Sequence, residues 1–457
     1  MTASRASGRS GRPDPYSTAG VVMLPLLLAP RSWIHRRVET IRFVDERTVR
    51  RSVSVDFSLP VRRLLPFEFS PHIEMTRQGP ETSTSGSVVR QSLPQERAHP
   101  VYVVPIATLK KSVLTAFDLR NEAGDVLPLL TRTENSRIAG AALMELAETY
   151  LNNYGRSVGD TLKADLRAVA GGDIDDARAA LERVLHSVEP DKEARELLAR
   201  SDRFNYWMRL LAESFLVLVR LDDRMSRRVI KFSYEEPFPR AKELMRTPFA
   251  SLGWRPVVLP WDAPGAAYGP SYHFEVELPS DLEVLSCEMH TGDGRGTSQL
   301  IVGAPERRAH VYVANLARDA TAQVRVSTRA RRPGILRAAP AVATLNALML
   351  TGGGFRLTEL LADTGGAATL LVLVPALLAA YVARPGEHGL VTELLLGVRR
   401  VLFISGALAI AAAALLVVKV DGKSLVAVWW SLTGAAWAVA VVLAVSFVLP
   451  GAGRGRN

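Results

Sequence analysis

At 457 residues the chain is longer than one ordinary domain, and with 48% hydrophobic residues and a mean hydropathy of +0.10 it is not a disordered polyelectrolyte. A net charge of +10 and a pI of about 9.9 raise nucleic acid as a partner, but the basic residues are mixed with acids and form no aromatic-interleaved stripe, so none is expected. The only cysteine, Cys287, excludes an intramolecular disulfide and suits a reducing compartment.

Residues 1–20 (MTASRASGRSGRPDPYSTAG) are polar and without periodicity, and are expected to be disordered. Residues 21–30 (VVMLPLLLAP) follow basic residues as a signal peptide would. Pro25 and Pro30 interrupt the run, however, and Arg31 comes directly after it with no small-residue cleavage site. The run reads as an apolar strand or packing segment heading a β-rich module over 21–132. In that module Val53, Val55, Phe57 and Leu59 share one face, residues 101–109 (VYVVPIATL) form a second apolar run, and Val113, Thr115, Phe117 and Leu119 alternate again. A turn at 122–125 leads into a further strand at 126–130.

Over 133–222 the period becomes helical. Leu143, Leu146, Ala147, Tyr150, Leu151 and Tyr154 follow i, i+3, i+4 spacing, with Gly155 as the C-cap. Leu162, Leu166 and Val169 mark a second helix stopped by Gly171 and Gly172, and Asp173 starts a third. Further helices are expected at 192–199 and 205–221. Strands return in a second β-rich module over 223–333, in segments such as VIKFSY, HFEVELP and AQVRVST. RAHPVYV at 97–103 matches RAHVYV at 308–313 apart from one proline, which reflects either duplication of a β module or chance likeness of common strand sequences.

The region 334–457 contains four uncharged windows, giving expected spans at about 338–355, 364–383, 401–418 and 424–450. Each approaches the ~17 to 25 residues that a helix needs to cross a ~30 Å hydrocarbon layer. The first carries Pro340 and Asn346 and ends in three glycines, so a buried or surface-lying helix competes with a span there. No ionisable side chain lies inside the windows, which speaks against an ion or proton path. Ala407, Ala411 and Ala414, then Gly434 and Ala438, set small residues at the spacing of a close-packed and self-associating bundle.

With four spans, Arg325, Arg329, Arg331, Arg332 and Arg337 lie on the same side as Arg384, Arg399, Arg400, Arg454 and Arg456, against Arg356, Lys419 and Lys423 opposite. Three spans nearly remove this bias. The positive-inside rule therefore favours four, with the soluble region and the tail both cytoplasmic at the cell membrane. The five arginines before the first span are expected to contact anionic lipid, each contributing on the order of 1 kcal/mol.

Residues 109–135 (LKKSVLTAFDLRNEAGDVLPLLTRTEN), with ARPGEH at 383–388 and the following Val398-Arg399, resemble segments of uncharacterised multi-pass membrane proteins of high-GC bacteria. That group has no assigned activity. The resemblance implies a membrane-anchored cytoplasmic region and no site residues.

No catalytic or cofactor motif is present. Glu387 and His388 offer two ligands where a metal site needs more, and capping of adjoining helices explains them better. Gly292-Asp293-Gly294-Arg295-Gly296 lacks the strand, helix and Lys-Ser/Thr of a phosphate loop, and Asp173, Asp175 and Asp176 lack the Gly and Glu of a calcium loop. The eight histidines show no i, i+4 pair. No catalytic residue, cofactor or metal is therefore assigned. The expected fold class is α+β and multi-domain, with sandwich-like β modules flanking a helical module ahead of a transmembrane helix bundle. The expected function is a membrane-anchored binding or scaffolding protein, whose partners are the bilayer and a protein bound by the soluble region. The alternative is a transporter-associated or envelope-assembly component handling a lipid-like molecule.

Overall fold

The computed structural model describes residues 15–59, 102–112, 115–186, 191–221, 227–238, 248–291, 298–300, 307–316, 322–331, 334–362, 388–417 and 422–448, with the single positions 377 and 380. The fold is mixed α+β. Helix α1 (Pro15–Leu28) precedes strands β1 (Ile34–Phe43), β2 (Thr48–Phe57), β3 (Tyr102–Lys110) and β4 (Thr115–Arg120). Helices α2 (Arg132–Asn152), α3 (Asp160–Gly171), α4 (Ile174–Leu185), α5 (Lys192–Ala199) and α6 (Asp202–Glu213) follow, then β5 (Ser214–Leu221) and β6 (Arg228–Pro237). The short α7 (Pro248–Ser251) leads to β7 (Val257–Asp262), β8 (Ser271–Glu277), β9 (Leu282–Thr291), β10 (Ser298–Leu300), β11 (Arg308–Ala314) and β12 (Ala322–Ala330). The apolar region contains α8 (Ile335–Phe355), α9 (Leu357–Ala362), α10 (Gly389–Leu394), α11 (Leu396–Val417) and α12 (Gly422–Val448).

Six strands form one sheet in the order β11-β8-β1-β2-β6-β4, antiparallel except where β1 runs parallel to β8. The two strand-rich stretches expected as separate modules thus share a sheet, with β1 and β2 held between β8 and β6. A second sheet, β10-β9-β12-β7, is antiparallel throughout, and β3 and β5 make a two-stranded ribbon. The matching RAH and VYV sequences fall in different places. Residues 308–313 edge the six-stranded sheet, whereas the described end of the first copy, Tyr102 and Val103, pairs with β5 in the ribbon.

One face of the six-stranded sheet has two covers. Val53, Val55 and Phe57 of β2 with Ile230 and Phe232 of β6 pack under the ribbon, among Val104, Ile106, Val217 and Val219. Val49 of β2 and Ile41 of β1 instead pack with Leu259, Cys287, Met289, Val324 and Val326 of the four-stranded sheet. Burial pushes the Cys287 thiol up to about 12, so it behaves as a core hydrophobe. Between the two cores the same inward positions carry charge. Glu39 is fully buried and accepts from Arg37 Nε at 2.8 Å and from Arg51 Nη1 at 2.9 Å. Arg51 also donates to Glu236 Oε1 at 2.9 Å and to the Asp262 carbonyl at 3.1 Å. Burial by itself would raise the Glu39 carboxyl, but the charges of Arg37 and Arg51 hold it below the ordinary range.

Helix α2 begins with a reciprocal capping box, in which Glu134 N–H donates to Thr131 Oγ1 at 3.3 Å and Thr131 N–H donates to Glu134 Oε2 at 2.8 Å. Beyond its end Gly155 adopts φ +65°, a conformation that favours glycine. Four expectations need correction, the first being the strand expected at 126–130, which is reduced to isolated bridges of Val126 with Arg120 and of Leu129 with Val219. Residues 15–20 are not disordered but begin α1, because Ala19 is buried on α2 and the Arg137 guanidinium lies 3.9 Å from the Tyr16 ring centre. Residues 1–14 lie outside the described set. Of the two readings of residues 21–30, strand or packing segment, the strand is wrong: residues 21–28 are a packing helix that buries Met23, Leu24 and Leu26, with Gly20 so close to α2 that a Cβ would lie 2.4 Å from the Ala141 Cβ. The helix expected to 221 ends at Glu213, since the apolar run Phe215 to Val219 pairs with β3 and buries both of its faces.

Helices α8, α11 and α12 are long and apolar enough to cross a membrane, and the window at 364–383 lies outside the described residues apart from positions 377 and 380. Asn346 of α8 is buried and donates through Nδ2 to Ser405 O at 2.7 Å and Oγ at 3.0 Å on α11. Trp429 of α12 donates to the Leu350 carbonyl at 2.9 Å. With the helices so joined, the buried alanines of α11 and α12 are Ala409, Ala412, Ala436 and Ala440. Ala407, Ala411, Ala414, Gly434 and Ala438, expected to pack closely in the bundle, are exposed on this single chain and do not form its internal seam.

The bundle and the sandwich share one core, in which Ile335, Leu336, Ala339, Leu390, Leu394, Val398 and Leu443 join the residues between the sheets. Trp254 donates to Ser446 Oγ at 2.7 Å, and a Cβ on Gly397 would lie 2.4 Å from Ser251 Oγ. Between β12 and α8 the chain turns through Gly334 at φ +114°.

Replacing Glu39 with Gln keeps the volume but leaves the buried Arg37 guanidinium without a counter-charge and Arg51 with Glu236 alone. A loss of about 3–5 kcal/mol is expected, read as a lower Tm of the full chain. Because the Glu39 pKa is depressed in the folded protein, its stabilisation is complete above the ordinary value of 4.5 and is lost as pH falls below it. The Tm of the Glu39→Gln variant should therefore respond less to acid than that of the parent.

Candidate functional site

The helices α2 to α6 lie in sequence between β4 and β5, so they hang from the six-stranded sheet at one end and from the ribbon at the other. They do not cover the ribbon completely. A cavity of about 730 Å³ remains, lined by Phe117 of β4, Leu129 and Leu130, Ile174 of α4, and Phe215 and Val217 of β5. Its polar border consists of Lys111, Ser112, Arg132, Asn135, Ser136 and Asp173. A volume of this size falls within the ~300–1,000 Å³ typical of small-molecule sites, and a mostly apolar wall with a few placed polar groups is their usual chemistry.

Lys111 is the half-buried anchor of this border. Its Nζ donates to the carbonyls of Val169 at 2.8 Å and Gly172 at 3.0 Å, capping the C-terminus of α3 with a positive charge. Burial, with Arg132 adding like-charge repulsion, brings its amine down to about 8. Arg132 pairs with Asp173, and the bond from Arg132 lowers that carboxyl. Both side chains are about three-quarters exposed, at 73% and 75%, so the pair is screened and contributes little to stability. A second depression of about 340 Å³ shares Arg132, Ser136 and Gly171 with the cavity and adds Thr133, Arg137 and Arg167.

The residues considered in the sequence are placed differently. Asp173 precedes α4 without a side-chain capping bond, and Asp175 and Asp176 occupy the first turn. His388 caps α10, its Nδ1 accepting from Leu390 N–H at 3.3 Å, and its ring meets Phe43 at 6.5 Å between centroids. Glu387 and residues 292–296 lie outside the described set. His310 comes together with His273 on the adjacent strand, His273 Nδ1 lying 3.0 Å from His310 Nε2. Among the described residues no three His, Cys, Asp or Glu side chains gather as a metal site.

The arginines expected at lipid are spread along β12. Arg325 is six residues before Arg331, about 20 Å along a strand. Arg329 is paired with Glu283, Arg337 is exposed in the first turn of α8, and Arg332 lies outside the described residues. Arg331 and Arg337 are thus the described members nearest the apolar helices.

The cavity was missed in the sequence because its walls come from four separated stretches. The closest signal was the Gly171-Gly172-Asp173 break between two helices, which forms part of its border. No family model matches the chain, and no curated protein matches it either.

A small amine-acylating reagent is expected to modify Lys111 at a rate that rises to about pH 8 and then levels, as the depressed amine becomes neutral. Ordinary lysines continue to gain rate toward about pH 10. Mass spectrometry of timed digests distinguishes the two profiles, and the early plateau should vanish on denaturation.

Proposed function

We propose that the chain is a multi-pass bacterial membrane protein whose soluble region binds a small ligand, with the cavity between the helical module and the ribbon as its site. The observation that carries this reading is the cavity itself, a ligand-sized apolar hollow in a protein whose soluble part shares a core with its apolar helices.

The course of the apolar helices supports four crossings. α8 starts at the sandwich, with Leu336 near Gly253, and ends in a second core where Ala347 and Leu350 meet Leu357 and Leu425. α12 runs the opposite way, from Leu425 to Ser446 beside Trp254. α10 and the start of α11 are again at the sandwich, through Leu390 and Val398. The chain therefore leaves the sandwich end with α8 and is back there by residue 388. This supports an even number of crossings, with the soluble region and the tail sharing the cytoplasmic side that the arginine bias favours.

Two measurements test these statements. In intact cells, with single cysteines at Glu122, Thr358 and Gly453 in a Cys287→Ala background, an impermeant thiol reagent is expected to label Thr358→Cys alone. Labelling of Glu122→Cys from outside would reverse the orientation. For the cavity, a neutral polarity-sensitive dye should gain fluorescence with the purified full chain, and Ile174→Trp, which fills the hollow, should abolish the gain. An unchanged signal in that variant places dye binding elsewhere and removes the ligand reading.

A further inference from the structure

The cavity and the depression beside it differ in chemistry, and their junction indicates what kind of molecule fits both. The inner part is hydrocarbon, formed by Phe117, Leu130, Ile174, Phe215 and Val217. The outer part carries Arg132, Arg137 and Arg167 with the hydroxyls of Thr133 and Ser136. Counting Lys111 at the inner border, four cations face a single carboxylate, Asp173. The shared residues Arg132, Ser136 and Gly171 make the two parts immediate neighbours.

A wholly apolar ligand would leave the arginine border unused, and a cationic one would be repelled by it. A small inorganic anion would engage the arginines but leave the hydrocarbon wall empty. An amphiphile with one tail and one acidic head satisfies both halves, because guanidinium groups pair bidentately with carboxylate or phosphate while the tail removes apolar wall from water. Arg137 is already oriented at the border by its stacking on Tyr16. Resting on the ligand-binding reading above, we propose that this site holds a single-chain amphiphile with an acidic head group, its tail between β4, β5 and α4 and its head against Arg132, Arg137 and Arg167.

The test uses the full chain in nanodiscs of zwitterionic phosphatidylcholine and four twelve-carbon probes with a photoreactive diazirine at the tail end. The probes are an alkyl phosphate, a fatty carboxylate, an alcohol and a trimethylammonium. The two acidic probes are expected to crosslink to peptides carrying Phe117 or Val217, at half-saturating concentrations at least about tenfold below those of the other two. Replacing the exposed Arg137 and Arg167 together with Gln should raise the acidic half-saturation about tenfold and leave the alcohol unchanged, with the Tm lowered only by the lost Arg137–Tyr16 stack. Phosphate and carboxylate then rank the head group, and either order supports the proposal.

If the alcohol labels the cavity as well as the acids, the acidic head is wrong while the cavity remains a ligand site. An acidic preference that survives the double substitution overturns the assignment of the head to the arginine border. Crosslinks that fall nowhere on the cavity wall, for any probe, remove both the proposal and the reading on which it rests.

Discussion

The architecture turns on Glu39, a carboxylate removed from water and held by two guanidinium groups. Along β1, β2 and β6 the inward face passes from apolar to charged and back to apolar, and the charged stretch marks where the ribbon ends and the four-stranded sheet begins. Buried ion pairs gain little over apolar replacements of the same volume, because desolvation offsets their attraction. We therefore read the role of this network as positional. Arg37, Glu39 and Arg51 meet their partners in only one register, and that register fixes which cover lies over which half of the sheet.

The site inherits its geometry from this division. β4 lies at the sheet edge next to β6, and β5 belongs to the ribbon, so Phe117 and Phe215 are brought to one hollow by two different layers. The helices between these strands close the hollow from the third side, with Lys111 tying the end of α3 to the ribbon through two carbonyls. A charged side chain thus holds a helix end at the rim of an apolar space, and the same burial that makes this useful depresses its amine.

Much of the outline was legible in the sequence. The uncharged windows announced the apolar helices, because a helix facing lipid excludes charge along its whole length, and the 3.6 period announced α2 to α4. The strand β5 was not legible, since an apolar run buried on both faces has no alternation to distinguish it from a helix. Nor was the charged seam, because HRRVETIRF carries charges on both faces of β1 and nothing local separates the buried Arg37 from the exposed Arg36. The rotation of the apolar helices escaped for a similar reason. Alanine occurs on several faces of α11, and only the bond from Asn346 to Ser405 selects the one that packs.

The short junction between β12 and α8 has a mechanical consequence. Four residues, 331–334, separate the end of the strand from the start of the helix, and residues of both elements belong to one core. Apolar helices answer a change in bilayer thickness by tilting. Were α8 to tilt in this way, the movement would pass into β12 through the core that Leu336 and Ala339 share with Val324 and Val326, and the attitude of the sandwich would follow that of the helix.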